Sequence, residues 1–373
     1  MRIGVFTHYI DKYPRSAPSL YQINLIKKLV EETNLEIILI HHEKNDLPIY
    51  RLAEETLIPR MPYLRERAIN KLDLDLIHFN AIPWSWWPSI SKLNIPSIVT
   101  VHGTIHWDDP QLDDYSSLIL RTLKKILEKR VTRNITYFIA ISKHVRDVLV
   151  NKLNVPNFKI GVIYLPIDHS VFKPINPETV QKIRSKYEIK SKYILHVSTF
   201  SRRKNPVVLL KSFHAIKKFM RNIMLVIVGS GWNNSFIRKL IKEFGLQGDV
   251  KILGWVPRDD LVALYNGAEA SLFPSLHENF GFPIVEAMAC GCPVVTSNVY
   301  AIPETCADVA ILCNPCDYKC FANAIFNILS NPQLREEMIR KSIRRAKLFS
   351  WDSHIDKVVE IYRKFITNCV NVR

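Results

Sequence analysis

The chain has 373 residues, 47% of them hydrophobic, and carries 51 Lys+Arg against 35 Asp+Glu for a formal charge of +16. That length suits about two to three domains at ~150 residues each. No apolar run approaches the ~20 residues of a membrane-spanning helix. The N-terminal MRIGVF runs straight into a strand with no signal peptide, so the expected location is the cytosol, with the inner face of the membrane as a peripheral site. Seven cysteines, an odd number in a chain this long, predict reduced thiols rather than a disulfide framework. The charge is uneven: residues 1–168 carry 22 Lys+Arg against 18 Asp+Glu, and residues 169–373 carry 29 against 17. Nucleotide diphosphates and anionic membrane both suit such a balance. No nucleic-acid fold signature is present, so nucleic acid is not an expected partner.

Six short apolar runs punctuate the first part: Ile3–Phe6, Glu36–Ile40, Leu74–Phe79, Ser97–His102, Tyr137–Ser142 and Ile160–Leu165. Helical patterns lie between several of them, including Ser19–Glu32 with Ser19 as N-cap. Strands alternating with helices predict an α/β, doubly wound parallel sheet whose ligands bind past the carboxyl ends of the strands. Thr7-His8, Asn80, His102-Gly103 and Ser142 sit there and form a shortlist for chemistry. Trp84, Trp86 and Trp87 cluster after a strand end, as an acceptor-side platform, membrane anchors or plain packing under a loop. Leu118–Arg133 reads as an amphipathic helix, with Leu120, Leu123, Ile126, Leu127 and Val131 on one face and Arg121, Lys124, Lys125 and Lys129 on the other. Such a helix either lies on anionic lipid or is an ordinary surface helix with a solvated basic face.

Residues 169–192, with Pro174, Pro177 and several lysines, read as the connection between domains. Six more strands follow: Tyr193–Thr199, Met224–Gly229, Val250–Trp255, Ala270–Ser275, Val294–Asn298 and Ala310–Cys313. The cleft between two such sheets is the natural place for an active site. Cys313, Cys316 and Cys320 have metal-like spacing with Cys306 upstream, but no histidine is close in sequence and a zinc site is not expected.

The most informative stretch is FPSLHENFGFPIVEAMACGCPVVTSN, residues 273–298. It reads as strand, loop, helix, strand. Pro283 starts the helix where a missing N–H costs nothing, and Gly291 ends it where a left-handed residue is wanted. A helix N-terminus with free amides at a strand end suits a phosphate. Glu278 and Glu286 flank the loop, and carboxylates beside a phosphate are tolerated when sugar hydroxyls donate to them.

This segment, PSxxExFGxPxxEAMAxGxPV, closely resembles the signature of the family-4 retaining glycosyltransferases of the GT-B fold, mannosyltransferase-like members included. The resemblance implies two Rossmann-like domains facing across a cleft: residues 1–168 for the acceptor, 169–350 for the nucleotide sugar, and a C-terminal helix from 351 that returns to the N-terminal domain. It implies a hexose, mannose or glucose, carried from a GDP- or UDP-linked donor to a glycan or lipid-linked acceptor, with no metal and no cofactor. Glu278 would orient the sugar hydroxyls and Glu286 would bind the ribose. Arg203 and Lys204, in Thr199-Phe200-Ser201-Arg202-Arg203-Lys204-Asn205, would hold the diphosphate. Thr199 stands where many members place an arginine. Phe280, Gly281 and Phe282 would contribute amides, Gly229 a close backbone approach, and Trp255 a wall for the base. His102, in VTVHG, resembles the family histidine that reaches the donor sugar, and Ser16 stands near a Gly-Gly pair of other members. The same architecture also serves nucleotide-sugar 2-epimerases, and a non-catalytic sugar-nucleotide sensor is a further alternative.

Overall fold

The computed structural model describes residues 1–14, 16–83, 85, 89–112 and 117–370. Trp84, Trp86 and Trp87 therefore lie outside the described residues. The chain forms two compact units, Met1–Leu165 with Asp352–Arg373, and Pro166–Trp351.

The first unit contains β1 (Arg2–Phe6), β2 (Glu36–His41), β3 (Glu54–Leu57), β4 (Leu76–Phe79), β5 (Ser97–Val101), β6 (Tyr137–Ala140) and β7 (Ile160–Val162). They pair in the order β3-β2-β1-β4-β5-β6-β7, every pair parallel. β4 and β5 are buried along their whole length, as a sheet covered by helices on both faces requires. β3 has no counterpart among the apolar runs of the sequence. It is an edge strand, EETL, whose two glutamates leave no hydrophobic signature. The Ala17–Glu32 helix begins two residues before the expected start and is capped by Ser16, whose Oγ accepts from the Ser19 amide at 3.3 Å. Ser19 is buried inside the first turn rather than capping it.

The Trp351–Val370 helix brings the chain back to this first unit. Val358 and Tyr362 are fully buried there. The Tyr362 hydroxyl lies 2.6 Å from His78 Nδ1, and His354 Nε2 lies 2.8 Å from the Tyr21 hydroxyl.

The second unit contains β8 (Lys192–Val197), β9 (Ile223–Val228), β10 (Val250–Gly254), β11 (Ala270–Phe273), β12 (Val294–Ser297) and β13 (Ile311–Cys313), in the order β10-β9-β8-β11-β12-β13, again parallel. Its core joins Ile194, Leu225, Ile227, Leu272 and Val295 from the sheet to Leu209, Phe213, Phe321 and Ile325 from the helices. Each such side chain contributes about 1.5–3 kcal/mol when fully buried. The connecting stretch 169–192 is not irregular throughout. Asn176 caps the Pro177–Lys186 helix, and Lys186 and Tyr187 both reach Asp260 at 2.5 Å.

Cys313 and Cys320 form a disulfide, which corrects the expectation of reduced thiols throughout. It also takes up two of the cysteines whose spacing resembled a metal site, while Cys316 is exposed and Cys306 buried.

In both sheets the strand order reverses beside the first strand, between β1 and β4 and between β8 and β11. Loops leaving a parallel sheet at such a switch point diverge and open a crevice for ligands. These loops carry Asn80 in the first sheet and Thr199, Arg203, Lys204 and Glu278 in the second, while His102, Gly229 and Trp255 follow other strands of the two sheets.

Candidate active site

In the second unit, the loop after β8 carries Arg203 and Lys204 in a short 3-10 turn, Arg202–Lys204. The loop after β11 carries Ser275 and Glu278. Backbone bonds sew the two together. The Leu276 amide donates to the Arg203 carbonyl at 2.8 Å, the Ser275 Oγ lies 3.1 Å from the same carbonyl, and Arg203 Nη1 donates to the His277 carbonyl at 3.0 Å. The basic turn and the acidic loop are thus one rigid piece.

Glu278 is buried and sits between two cations. Its Oε1 accepts from Lys204 Nζ at 2.5 Å and from the Ser275 hydroxyl at 2.8 Å, and its Oε2 lies 3.2 Å from Arg203 Nη1. Burial alone would push this carboxyl up. The charges of Arg203 and Lys204, with the hydrogen bonds from Lys204 and Ser275, outweigh it and hold Glu278 down at about 2. Lys204 is buried and also lies over the Phe273 ring, 4.7 Å from its centroid. Burial lowers its ammonium to about 8 against the opposing pull of Glu278. Both groups are therefore charged at neutral pH.

The same loop leads into the Phe282–Ala289 helix through Gly281, whose φ of +91° is a left-handed conformation that a side chain would strain. Pro283 lies in the first turn. The helix buries Ile284, Val285, Ala287 and Met288, which fixes the direction of its N-terminus. Phe280 is itself buried, ring to ring with Phe282 and Phe349, and its carbonyl accepts from the Thr305 hydroxyl at 2.9 Å.

One turn into that helix, Glu286 has a different environment. The Tyr265 hydroxyl donates to its Oε2 at 3.1 Å. Burial raises its carboxyl to about 7, with Tyr265 and the more distant Arg258 pulling the other way. The structure thus separates the two glutamates chemically: one is a committed anion, the other is poised between acid and anion near neutral pH. Tyr265 was not foreseen, since a tyrosine inside the Arg258–Gly267 helix reads as ordinary core.

Around this cluster, Thr199 is exposed just past β8 and Trp255 is 77% exposed just past β10. Gly229, at the end of β9, has a φ of +128°, and a Cβ there would stand 2.0 Å from the Ser198 carbonyl oxygen. The contact that requires this glycine is with the neighbouring strand end.

In the first unit, Asn80 and His102 leave the ends of β4 and β5. Asn80 Nδ2 donates to the Pro18 carbonyl at 2.9 Å, so its Oδ1 accepts, and His102 Nε2 lies 2.7 Å from it. That arrangement places the His102 proton on Nε2. Burial, then the neighbouring His78 and His354, lowers His102 to about 3, so the ring is neutral. Ser16, an acceptor-side candidate, spends its hydroxyl on the helix cap.

A family model described as "Glycosyl transferases group 1" matches residues 179–345, and one described as "Glycosyltransferase Family 4" matches residues 43–171. The chain belongs to the group 1 glycosyltransferases of the GT-B fold. This group 1 glycosyltransferase is 29% identical over 228 residues to O-antigen chain mannosyltransferase B of Escherichia coli, a match covering 60% of each chain. It is 26% identical over 322 residues to the MMP alpha-(1->4)-mannosyltransferase of Mycolicibacterium hassiacum, covering 81% of this chain and 73% of that one. Among solved structures, HepE of Anabaena in complex with UDP-glucose superimposes with a TM-score of 0.80 at 17% identity, covering 98% of this chain and 100% of that one. Sucrose-phosphate synthase from Thermosynechococcus elongatus gives 0.80 at 19%, covering 99% and 100%. No helix among the described residues of this glycosyltransferase is long and apolar enough to cross a membrane.

Proposed function

We propose that this chain is a retaining hexosyltransferase that moves mannose, or glucose, from a GDP- or UDP-linked donor to a glycan or lipid-linked acceptor, without a metal ion. The Arg203–Lys204–Glu278 cluster at the switch point of the second sheet, with Lys204 and Glu278 buried and Arg203 half-buried, carries this reading. Breaking the bond between the sugar and the diphosphate builds negative charge on the leaving group. Preorganised cations and amides stabilise that charge without reorganising during the reaction. Arg203 and Lys204 supply the cations, and the start of the Phe282–Ala289 helix supplies amides and a favourable dipole end. When diphosphate engages the cations, Glu278 is released to accept from sugar hydroxyls. Glu286 would accept from the ribose, and Trp255 offers an exposed ring face to the base. His102 would act as a neutral hydrogen-bonding group toward a substrate bound by the first unit. The bond from C1 to the phosphate oxygen breaks, the bond from C1 to the acceptor oxygen forms on the same face, and the acceptor proton passes to the departing phosphate. Mannose is favoured because the two relatives described above carry mannosyltransferase names, and a nucleotide donor is supported by the UDP-glucose in HepE.

Incubation with GDP-mannose, UDP-glucose and related nucleotide sugars, in chelator, tests the reading. One donor should release nucleoside diphosphate at a rate that added magnesium does not change. Release from none of them, conversion to an isomeric nucleotide sugar, or complete dependence on magnesium would each contradict it.

A further inference from the structure

Two residues before Asn80 and His102, the strands β4 and β5 carry His78 and Thr100, both buried. Side chains two apart on a strand share a face, so His78 and Thr100 lie one rung beneath the Asn80–His102 pair. They belong to a chain of buried groups that begins and ends on the Trp351–Val370 helix. The Tyr362 hydroxyl lies 2.6 Å from His78 Nδ1, and His78 Nε2 lies 2.8 Å from Thr100 Oγ1. The Thr100 hydroxyl bonds the Tyr21 oxygen, and the Tyr21 hydroxyl lies 2.8 Å from His354 Nε2. His354 Nδ1 lies 3.0 Å from the Tyr164 carbonyl.

That last carbonyl orders every proton in the chain. A carbonyl can only accept, so His354 carries a proton on Nδ1. Burial lowers His354 to about 4, the ring is neutral, and its Nε2 therefore accepts from Tyr21. The Tyr21 oxygen in turn accepts from Thr100, and Thr100 accepts from His78 Nε2. His78, lowered by burial to about 3, is neutral as well and accepts on Nδ1 from Tyr362. A buried network satisfied in one direction is rigid, because reversing any bond in it strands a donor or an acceptor.

His102 meets this chain at Tyr21. Their ring centroids are 4.8 Å apart with the planes at 64°, an edge-to-face contact. The Ala17–Glu32 helix thus holds the upper pair twice, since the carbonyl of Pro18, one turn before Tyr21, accepts from Asn80. Gln22 fixes the helix in turn, donating to the Phe6 carbonyl at 2.9 Å. His102 is half-buried, and a hydrogen bond at Nε2 leaves an imidazole able to tilt about that contact. A ring packed against its side removes the freedom.

We infer that Tyr21 is a positioning residue for His102, through which the C-terminal helix acts on the site of the first unit. His354 pins the Tyr21 hydroxyl, and the Tyr21 ring holds His102 in the pose that bonds Asn80 through Nε2 and leaves Nδ1 to accept from a substrate hydroxyl. This deepens the proposed transfer, on which the use of that pose rests.

Three small changes to the full chain test it. Tyr21→Phe keeps the ring and deletes the hydroxyl. His354→Asn keeps a donor for the Tyr164 carbonyl, since an asparagine amide reaches where Nδ1 stands, and drops the bond to Tyr21. Tyr362→Phe deletes a bond of the same kind at the far end of the chain. Nitrogen-15 NMR of the imidazoles, with His102 assigned by its loss in His102→Gln, reads the tautomer without any substrate. The parent and Tyr362→Phe should show His102 in the Nε2–H form, while Tyr21→Phe and His354→Asn should shift it toward a mixture of tautomers. With the donor that the parent consumes, kcat should fall about tenfold or more in those two variants with KM for the donor within about twofold, and Tyr362→Phe should keep both. An unchanged His102 signal in Tyr21→Phe would overturn the proposal. So would Tyr362→Phe matching Tyr21→Phe in both readouts, since the chain would then be a general brace. A parent that consumes no donor, with a His102 signal that still responds to Tyr21→Phe, would contradict the transfer and support the positioning.

Discussion

Glu278 spends both carboxylate oxygens on the basic turn after β8, Oε1 on Lys204 at 2.5 Å and Oε2 on Arg203 at 3.2 Å. One anion thus sits against two cations, leaving the buried cluster with a surplus positive charge. In the proposed reaction, that surplus is what an incoming diphosphate would meet. It also makes the three residues interdependent, because removing one partner of a buried pair strands the other, at a cost of about 3–5 kcal/mol.

Lys204→Met should therefore lower stability as well as kcat/KM for the donor, the latter by about 1.5–3 kcal/mol or more than tenfold. Adding Glu278→Gln removes the anion that would then be held by Arg203 and Ser275 alone, and should restore part of the stability while leaving turnover low. Glu278→Gln alone should chiefly reduce kcat, since a carboxylate near the sugar hydroxyls matters most as the ring gains positive charge. Urea melts and donor kinetics on the two single variants and the double form a cycle. Independent, additive stability effects would show that the ion pair is not coupled.

Glu286 should impose a pH dependence on donor binding. Its folded value of about 7 lies above the ordinary 4.5, because burial favours the neutral acid. If the ribose hydroxyls require the carboxylate as acceptor, KM for the donor should fall as pH rises from about 6 to 8 and level off above that. Glu286→Gln should raise KM and flatten the profile. Stability runs the other way: with the folded value raised, the contribution is fully present below pH 4.5 and is lost as pH climbs through about 7. The Gln variant should then be more stable than the parent at pH 8 by on the order of 3 kcal/mol, the equivalent of that shift. A wild-type KM that does not change with pH would contradict the assignment.

Gly229→Ala should be among the most damaging single-methyl additions in the chain. The new Cβ would stand 2.0 Å from the Ser198 carbonyl oxygen at a φ of +128°, and the atoms it meets are main chain rather than the end of a flexible side chain. A loss of about 2–4 kcal/mol is expected from strain plus displacement of the strand ends. Thermal melts check it; a loss under about 0.5 kcal/mol, the ordinary range for surface substitutions, would show that the strand ends relax.

Most of the strands are legible because a parallel sheet covered on both faces needs apolar, β-branched runs, such as SIVTV at Ser97–Val101. β3 escaped because an edge strand tolerates charged residues, and this one is EETL. The order of residues also placed Arg203, Lys204 and Glu278 at strand ends, but not the ion pairs joining them, which depend on loops 74 positions apart. Periodicity found both faces of the Leu118–Val131 helix and could not tell which faced inward. The deciding contacts, His106 and Trp107 to Glu128, come from a separate segment. The Cys313–Cys320 disulfide likewise follows from the placement of a strand end against a helix, and a count of cysteines carries no such information.

Retention of configuration with a nucleotide-sugar donor is the central claim, and proton NMR of the reaction in progress tests it most directly. The preferred donor, α-linked through its diphosphate, is incubated with the full chain, and the anomeric signal of the first sugar product is followed before mutarotation scrambles it. The account predicts an α product, transferred to acceptor or, more slowly, to water, appearing in step with nucleoside diphosphate. A β product appearing first would contradict retention, and an unchanged donor across all GDP- and UDP-linked hexoses would contradict the transferase itself.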